Sequence, residues 1–259
     1  MQLTISTFNI RTASVDDGVN VWEQRKALVL QSIREHEPDI IGFQEVLPSV
    51  KRFFRQTLPD KTLIGENRAA DFTGESTPLA YQTKRFELVD ADTFWLSPTP
   101  YQAGSQFPNS DTYPRICTAL TLRVMDTTHM LRVFNTHLDY RFENIRRKQI
   151  GVLAEQVHRL QSKRKLPFIL TGDFNTTPGS ASLQTLLTDF PISLTDAVSI
   201  DRIGTDITYH GYFVDSERVK IDYILVSDDF HILSACADTR HSGPVYTSDH
   251  YPLYATLAF

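Results

Sequence analysis

The stretch FILTGDFN, Phe168 to Asn175, decides how this chain is read. It begins apolar enough for a buried strand and then stops on Gly172, Asp173 and Asn175, ahead of two threonines, a proline and a glycine. Turn chemistry alone would account for such an ending, because Gly and Pro supply backbone angles and Asp or Asn hydrogen-bonds its own loop. The other reading is a strand that delivers a carboxylate and an amide to a sheet edge. The two separate only if other strands end the same way.

Five more do. Apolar runs finish in FNI (Asn9), FQEV (Glu45), FNTHLD (His137 and Asp139), KIDY (Asp222) and SDH (Asp249 and His250). Each ending holds a metal ligand, a proton-transfer group or a phosphate donor. Buried or half-buried carboxylates are costly unless a cation balances them, so several at one sheet edge imply a bound metal. Carboxylate, amide and water oxygens suit Mg²⁺ or Mn²⁺. Zinc sites draw on Cys and His at short spacings, and this chain has no such cluster.

Between these endings, Val21 to about Glu37 has helical spacing at Trp22, Ala27, Leu30 and Ile33, and Pro38 ends it. The segments around LIGEN, LAYQT, FELVDADTFWL and RICTALTLRV read as strands. In HMLRVFNTHLDY, Leu131, Val133, Asn135 and His137 share one strand face. A helix follows over roughly Glu143 to Gln161, with Ile150, Leu153, Val157 and Leu160 as its apolar stripe. Ser180 is placed to cap a short helix through Leu183, Leu186 and Leu187, and VKIDYILVS and YPLYATLAF are strands. Ser97 to Pro114 is a long Pro- and Ser-containing loop. Strands outnumber helices, which favours layered sheets covered by helices.

The 259 residues fit one large domain or two small ones, and 41% hydrophobic with 22% charged residues suits a globular core. A formal charge of −5 argues against broad attraction to nucleic acid, which depends on Lys and Arg neutralising phosphates. The densest basic stretches, Arg141 with Arg146 to Lys148 and Lys163 to Lys165, read as solvated helix faces or ends. Cys117 and Cys236 form no disulfide framework or CxxC site, so a reducing cytoplasm is the natural expectation. MQLTISTFNIRTAS lacks the pattern of a signal peptide, and no run reaches the roughly 18 apolar residues of a membrane span. Trp22, Trp95 and Cys117 read as core, and His36, His129, His158, His231 and His241 as surface.

Taken in order, FNI, QE, THLD, GDFN, IDY and SDH resemble the endonuclease/exonuclease/phosphatase superfamily over essentially the full chain. The resemblance implies a DNase I-like four-layer α/β/β/α sandwich, two packed, mainly antiparallel sheets flanked by helices, with a divalent-metal site at their edge. Positions 9 and 250 must meet there, so residues 1–259 are expected to form a single domain. Carried over residue by residue, Glu45 is the principal metal ligand with Asn9 beside it, and Asp249 contributes directly or through water. Asp173 orients or deprotonates the attacking water, and Asn175 holds a phosphate oxygen. His250 donates to the phosphoryl group while Asp222 fixes its tautomer, and His137 contacts the phosphate or the leaving oxygen, with Asp139 nearby. Arg115 in YPRICT is a candidate phosphate clamp, and His210 in TYHGYF belongs to a loop that could rim the pocket.

FWLSPTP and PRICT resemble bacterial members near the CCR4-like branch. Two departures stand out: Pro98 replaces the Glu of the similar FWLSETP text, and Gln106 and Phe107 lie where a Trp often precedes PRICT. The implied activity is Mg²⁺-dependent (or Mn²⁺-dependent) hydrolysis of a phosphoester, on a small phosphorylated metabolite, sugar or lipid headgroup. A DNA or RNA nuclease is the alternative. A non-catalytic binding protein on the same fold would be expected to lose some of Glu45, Asp173, Asp222 and His250, and all four are present.

Overall fold

The computed structural model describes residues 1–259 apart from Asp111, Thr112, Asp215, Ser216 and the side chain of Ile200. The Ser97–Pro114 loop expected from sequence therefore lies partly outside the described residues.

Two six-stranded sheets stack face to face. The first runs β11 (His231–Ala237), β14 (Leu253–Ala258), β1 (Gln2–Asn9), β2 (Ile40–Gln44), β4 (Leu79–Gln82), β3 (Lys61–Ile64). The second runs β5 (Phe86–Trp95), β6 (Ile116–Val124), β7 (Met130–His137), β8 (Phe168–Asp173), β10 (Asp222–Ser227), β9 (Leu194–Asp196). Among the described residues of these sheets, only β1–β2 and β7–β8 pair in parallel; the other neighbours are antiparallel. A short hairpin, β12 (His241–Ser242) and β13 (Val245–Tyr246), stands apart from both.

The layers follow from where the apolar side chains go. Leu3, Ile5, Leu122, Val133, Ile224 and Leu257 fill the space between the sheets. Against the outer face of the second sheet, Ile150, Leu153 and Val157 of α3 (Glu143–Lys163) and Leu183 and Leu186 of α4 (Ala181–Thr188) meet Phe134, Phe168 and Leu170. Against the first, Val29 and Ile33 of α1 (Trp22–His36) and Val50 and Phe54 of α2 (Pro48–Thr57) meet Phe8, Ile41 and Phe43. The result is the α/β/β/α sandwich, with a one-turn helix, α5 (Ile200–Ile203), in a later connection.

Ser180 caps α4 as its sequence implied, accepting from Leu183 N. The strand-by-strand reading passes over α2, although Pro48 at its first turn is a recognisable start. Trp22, Trp95 and Cys117 are buried, whereas His36, expected at the surface, is half-buried and stacked on Tyr254 at 3.9 Å. Among the described residues no helix is long and apolar enough to cross a membrane.

Toward one end the filling between the sheets becomes polar. Gln44 Nε2 donates to Thr7 Oγ1 (3.1 Å) and Asn135 Oδ1 (2.7 Å), Asn135 Nδ2 donates to Phe43 O (2.7 Å), and Thr171 Oγ1 donates to Asn135 Oδ1 (3.1 Å). The sheets come so close here that a Cβ on Gly42 would lie 2.2 Å from Thr171 Oγ1. A hydrogen-bonded amide layer fixes the sheets' relative position more sharply than apolar packing does, and it lies just beneath the polar strand ends.

Candidate active site

Strand register sets the first row of the site. Parallel pairing places His137 beside Asp173, and antiparallel pairing places Asp173 beside Asp222, so three functional side chains stand abreast on β7, β8 and β10. Across the gap, Asn9 ends β1 and Glu45 follows β2. Glu45 and Asn175 have φ of 62° and 48°, left-handed values that side-chain-bearing residues adopt at a cost of order 1–3 kcal/mol and that gather at functional sites.

The last contributors come from the far end of the chain. Asp249 and His250 lie on the loop before β14, and buried Arg25 of α1 ties that loop to the end of β1. Its Nη1 donates to Ile10 O (2.7 Å) and Thr247 O (2.9 Å), its Nη2 to Arg11 O (3.1 Å) and its Nε to Asn20 O. One guanidinium thus fixes Asn9 relative to Asp249 and His250.

A hydrogen-bonded chain connects the two sheets at their edge. Asn9 Nδ2 donates to Glu45 Oε1 (3.0 Å) and Asp173 Oδ2 (3.0 Å) and lies 3.4 Å from His250 Nε2. His250 Nδ1 is 2.8 Å from Asp222 Oδ2, which also accepts from Thr208 Oγ1 at 2.6 Å. His137 Nε2 and His250 Nε2 lie 3.4 and 3.7 Å from the same oxygen, Asp173 Oδ2. Glu45 Oε2 accepts from Thr12 N (2.7 Å), and Arg11 Nε lies 3.6 Å from Asp249 Oδ2.

The electrostatics are strongly displaced. Burial and the charge of Asp222 push the Asp173 carboxyl up to about 7, against the opposing pull of His250 and Asn9. Burial alone would push the His250 imidazole down, but Asp222, through charge and hydrogen bond, with Asp173 and Asp249 raises it to about 10. Burial and the charges of Arg115, Arg68 and His250 hold His137 well below its ordinary value. Burial raises Asp249, and Glu45 adds to the effect; burial and Glu45 likewise raise Glu75.

These features open onto a cleft of about 750 Å³ whose walls include Glu45, Arg115, His137, Asp173, Asn175, Asp249 and His250. That is within the ordinary range for a small-molecule site. Asp222 is buried behind His250, its second oxygen without a hydrogen-bond partner among the described residues. Asn175 gives one Nδ2 hydrogen to Leu138 O at 3.1 Å and keeps a second for a ligand. Asp139 is fully buried and accepts from the backbone N–H groups of Arg141 and Phe142, holding the loop after β7 rather than lining the cleft. His210 is also placed differently from the sequence expectation. It is fully buried among Phe213, Tyr246 and Tyr251, pushed down to about 3 by burial and the charge of His250, and is not part of the cleft wall. Its backbone N–H instead holds Asp249 O at 2.9 Å.

The donor set fits a hard divalent cation. Carboxylates of Glu45, Asp249 and Glu75 face the same cleft, and the charge of Glu45 adds to burial in raising the proton affinity of the other two, a repulsion a cation would relieve. Asn9 turns its nitrogen toward Glu45 and accepts at Oδ1 from Arg11 N (3.0 Å), an arrangement that orients the carboxylate; to ligate an ion it would turn its amide over. Asp173, Asp222 and His250 also bring ligand atoms within 4.8 Å of one another. Two of these three, Asp222 and His250, already share a hydrogen bond.

Arg68 and Glu75 escape a reading by strand endings. They sit in the loop between β3 and β4, where Arg68 Nη1 meets Glu75 Oε2 at 2.8 Å and its guanidinium lies 4.4 Å from the Tyr113 ring. The available signal was one basic and two acidic residues, Arg68, Asp71 and Glu75, in NRAADFTGEST, a segment without periodicity.

The family model described as Endonuclease/Exonuclease/phosphatase matches residues 6–250. The chain belongs to that family. A member of the endonuclease/exonuclease/phosphatase family from Bacteroides vulgatus is 30% identical and superposes with a TM-score of 0.90 over 100% of this chain and 99% of its own. A mannosyl-6-phosphatase from Bacteroides thetaiotaomicron is 27% identical at a TM-score of 0.88, covering 99% of this chain and 100% of its own. Among curated sequences, an Aspergillus niger CCR4-Not complex 3'-5'-exoribonuclease subunit is 26% identical over 62% of this chain, and human Nocturnin 26% over 61%. Those matches span only 31% and 37% of the relatives' own lengths.

Proposed function

We propose that residues 1–259 act as one domain that hydrolyses a phosphoester with Mg²⁺ or Mn²⁺, on a small phosphorylated metabolite, sugar or lipid headgroup. The observation that carries this reading is the convergence on Asp173 Oδ2 of Asn9, which also holds Glu45, and of His250, whose Nδ1 meets Asp222. Family membership supports the reaction class, and the mannosyl-6-phosphatase neighbour supports a small phosphorylated substrate.

In this reading Glu45 and Asp249, with Asn9 beside them, hold the cation. When bound, the cation withdraws charge from the phosphoryl oxygens. Asp173, with its proton affinity raised to about 7, accepts a proton from the attacking water near neutral pH. His250, its Nδ1 directed to Asp222, donates from Nε2 as charge builds on the phosphoryl group. His137 stays neutral under the influence of Arg68 and Arg115 and supplies a hydrogen bond to the phosphate or leaving oxygen. Arg115 and the second Asn175 N–H hold the remaining phosphate oxygens.

Purified protein assayed with Mg²⁺ and with chelator against phosphomonoesters, phosphodiesters, abasic DNA and poly(A) RNA tests the proposal. Hydrolysis only with the cation, fastest on a small ester, is expected; undiminished turnover in chelator sinks it. The exoribonuclease relative favours a nuclease as the second reading, which the same panel reveals as fastest turnover on RNA or DNA. The net charge of −5 weighs against it.

A further inference from the structure

Behind Glu45 the cleft continues into a small recess walled by Glu45, Arg68, Glu75, Thr77, Arg115 and His137. It offers about 10 Å³ to the centre of a water-sized sphere, which is room for about one oxygen atom. Its entrance is shared with the phosphate cleft through Glu45, Arg115 and His137, so an occupant lies next to the reacting group.

The chemistry of the walls restricts that occupant. Glu45 and Glu75 only accept hydrogen bonds when ionised, and Arg68 and Arg115 only donate. A phosphate oxygen, an acceptor alone, would meet two carboxylates. An ammonium, a donor alone, would meet two guanidinium groups. A hydroxyl does both, giving its hydrogen to a carboxylate and its lone pairs to an arginine. Thr77 adds an independent observation: it lines the recess at 4% exposure, and its Oγ1 has no hydrogen-bond partner among the described residues. A buried hydroxyl left in that state is destabilising, and an entering hydroxyl would recover part of that cost.

We infer that this recess is a hydroxyl subsite, which makes the substrate the phosphate ester of a sugar or sugar-like polyol. The inference rests on the phosphoesterase reading for the position of the phosphate and adds the identity of what is attached to it. Glu75 and Arg68 are then specificity residues: their ion pair at 2.8 Å presents an acceptor and donors side by side, the pattern that a hydroxyl satisfies. Tyr113 and Tyr140 line the adjoining cleft and offer aromatic faces to a sugar ring.

Binding separates this claim from the catalytic one. Calorimetric titration with Mg²⁺ compares a hexose 6-phosphonate with cyclohexylmethylphosphonate, a ring of similar size without hydroxyls. The wild-type protein should bind the hexose form at least about tenfold more tightly, and Glu75→Gln should remove most of that advantage. Thr77→Val, which keeps shape and removes only the hydroxyl, should reduce it by about threefold or more and covers the case in which the change at Glu75 unsettles Arg68. Equal binding of the two phosphonates, binding of neither, or losses in both variants shared equally by both ligands would overturn the subsite; a resident water in the recess predicts the first of these. Vesicles carrying phosphatidylinositol phosphate form a third arm. Tighter binding there assigns the polyol to a lipid headgroup and weaker binding to a free sugar, and in either case the Glu75→Gln loss must follow the hydroxyls. If the preference holds while the corresponding hexose phosphate is not hydrolysed with Mg²⁺, only the catalytic reading falls.

Discussion

His137 and His250 approach the same oxygen of Asp173, at 3.4 and 3.7 Å, yet they are pushed in opposite directions. On the His250 flank Asp222, Asp173 and Asp249 outweigh burial and raise the imidazole to about 10; on the His137 flank Arg115 and Arg68 reinforce burial and lower it. Both rings are buried, so desolvation does not distinguish them. The neighbours do. One site thereby holds a charged donor and a neutral one on either side of a shared carboxylate, and the asymmetry is written into which loop each ring faces.

The shared carboxylate is the place to break the comparison. Asp173→Asn should lower turnover of a small phosphoester by about 10²–10⁴-fold, with an unchanged circular dichroism spectrum; near-normal turnover would remove Asp173 from the role of base. Asp222→Asn leaves the ring in place and removes the charge that raises it, and a loss of about 10–100-fold is expected for such an orienting partner. An effect on turnover smaller than that of the corresponding change at Asp139, which lies off the cleft, would argue that Asp222 is merely structural.

Arg25 sharpens the comparison from below, since it locates the His250 loop against β1. Arg25→Met should cost about 2–3 kcal/mol, because backbone carbonyls lose a charged donor. The thermal midpoint should fall accordingly, and a midpoint within a degree of wild type would show that the guanidinium is dispensable.

The smallest expected effect lies at a third histidine away from the cleft. His36 is raised to about 9, chiefly by its hydrogen bond to Asp238, whose carboxyl lies 3.5 Å away and is itself pulled down to about 2. A group whose folded value is raised stabilises the protein fully below its unfolded value of about 6.5 and loses that contribution as pH climbs through 9. Melting midpoints should therefore fall between pH 6.5 and 9.5 by more in wild type than in His36→Gln. Parallel curves would deny the interaction.

The strand endings were legible because a carboxylate or imidazole at the end of an apolar run contradicts its surroundings, and six such contradictions in order required a common cause. Glu45, Asp173 and His250 could be found that way. Arg68 and Glu75 could not, because a charged residue in an aperiodic loop conflicts with nothing nearby. Arg25 was hidden for a related reason: on an amphipathic helix an arginine reads as solvated, and only the fold shows its donors turned inward to backbone carbonyls. His210 misled in the opposite sense, since a His-Gly pair on a loop reads as exposed until four aromatic neighbours close over it.

The pairing of β1 with β14 joins Gln2 to Ala258 and carries Asn9 to the neighbourhood of His250. Contacts of such sequence separation close late and slowly. On dilution from denaturant, recovery of turnover should lag behind the return of helical signal, since the constellation cannot exist until the final strand has inserted between its neighbours. Catalytic competence in this molecule is then a stopwatch for the last step of its own folding.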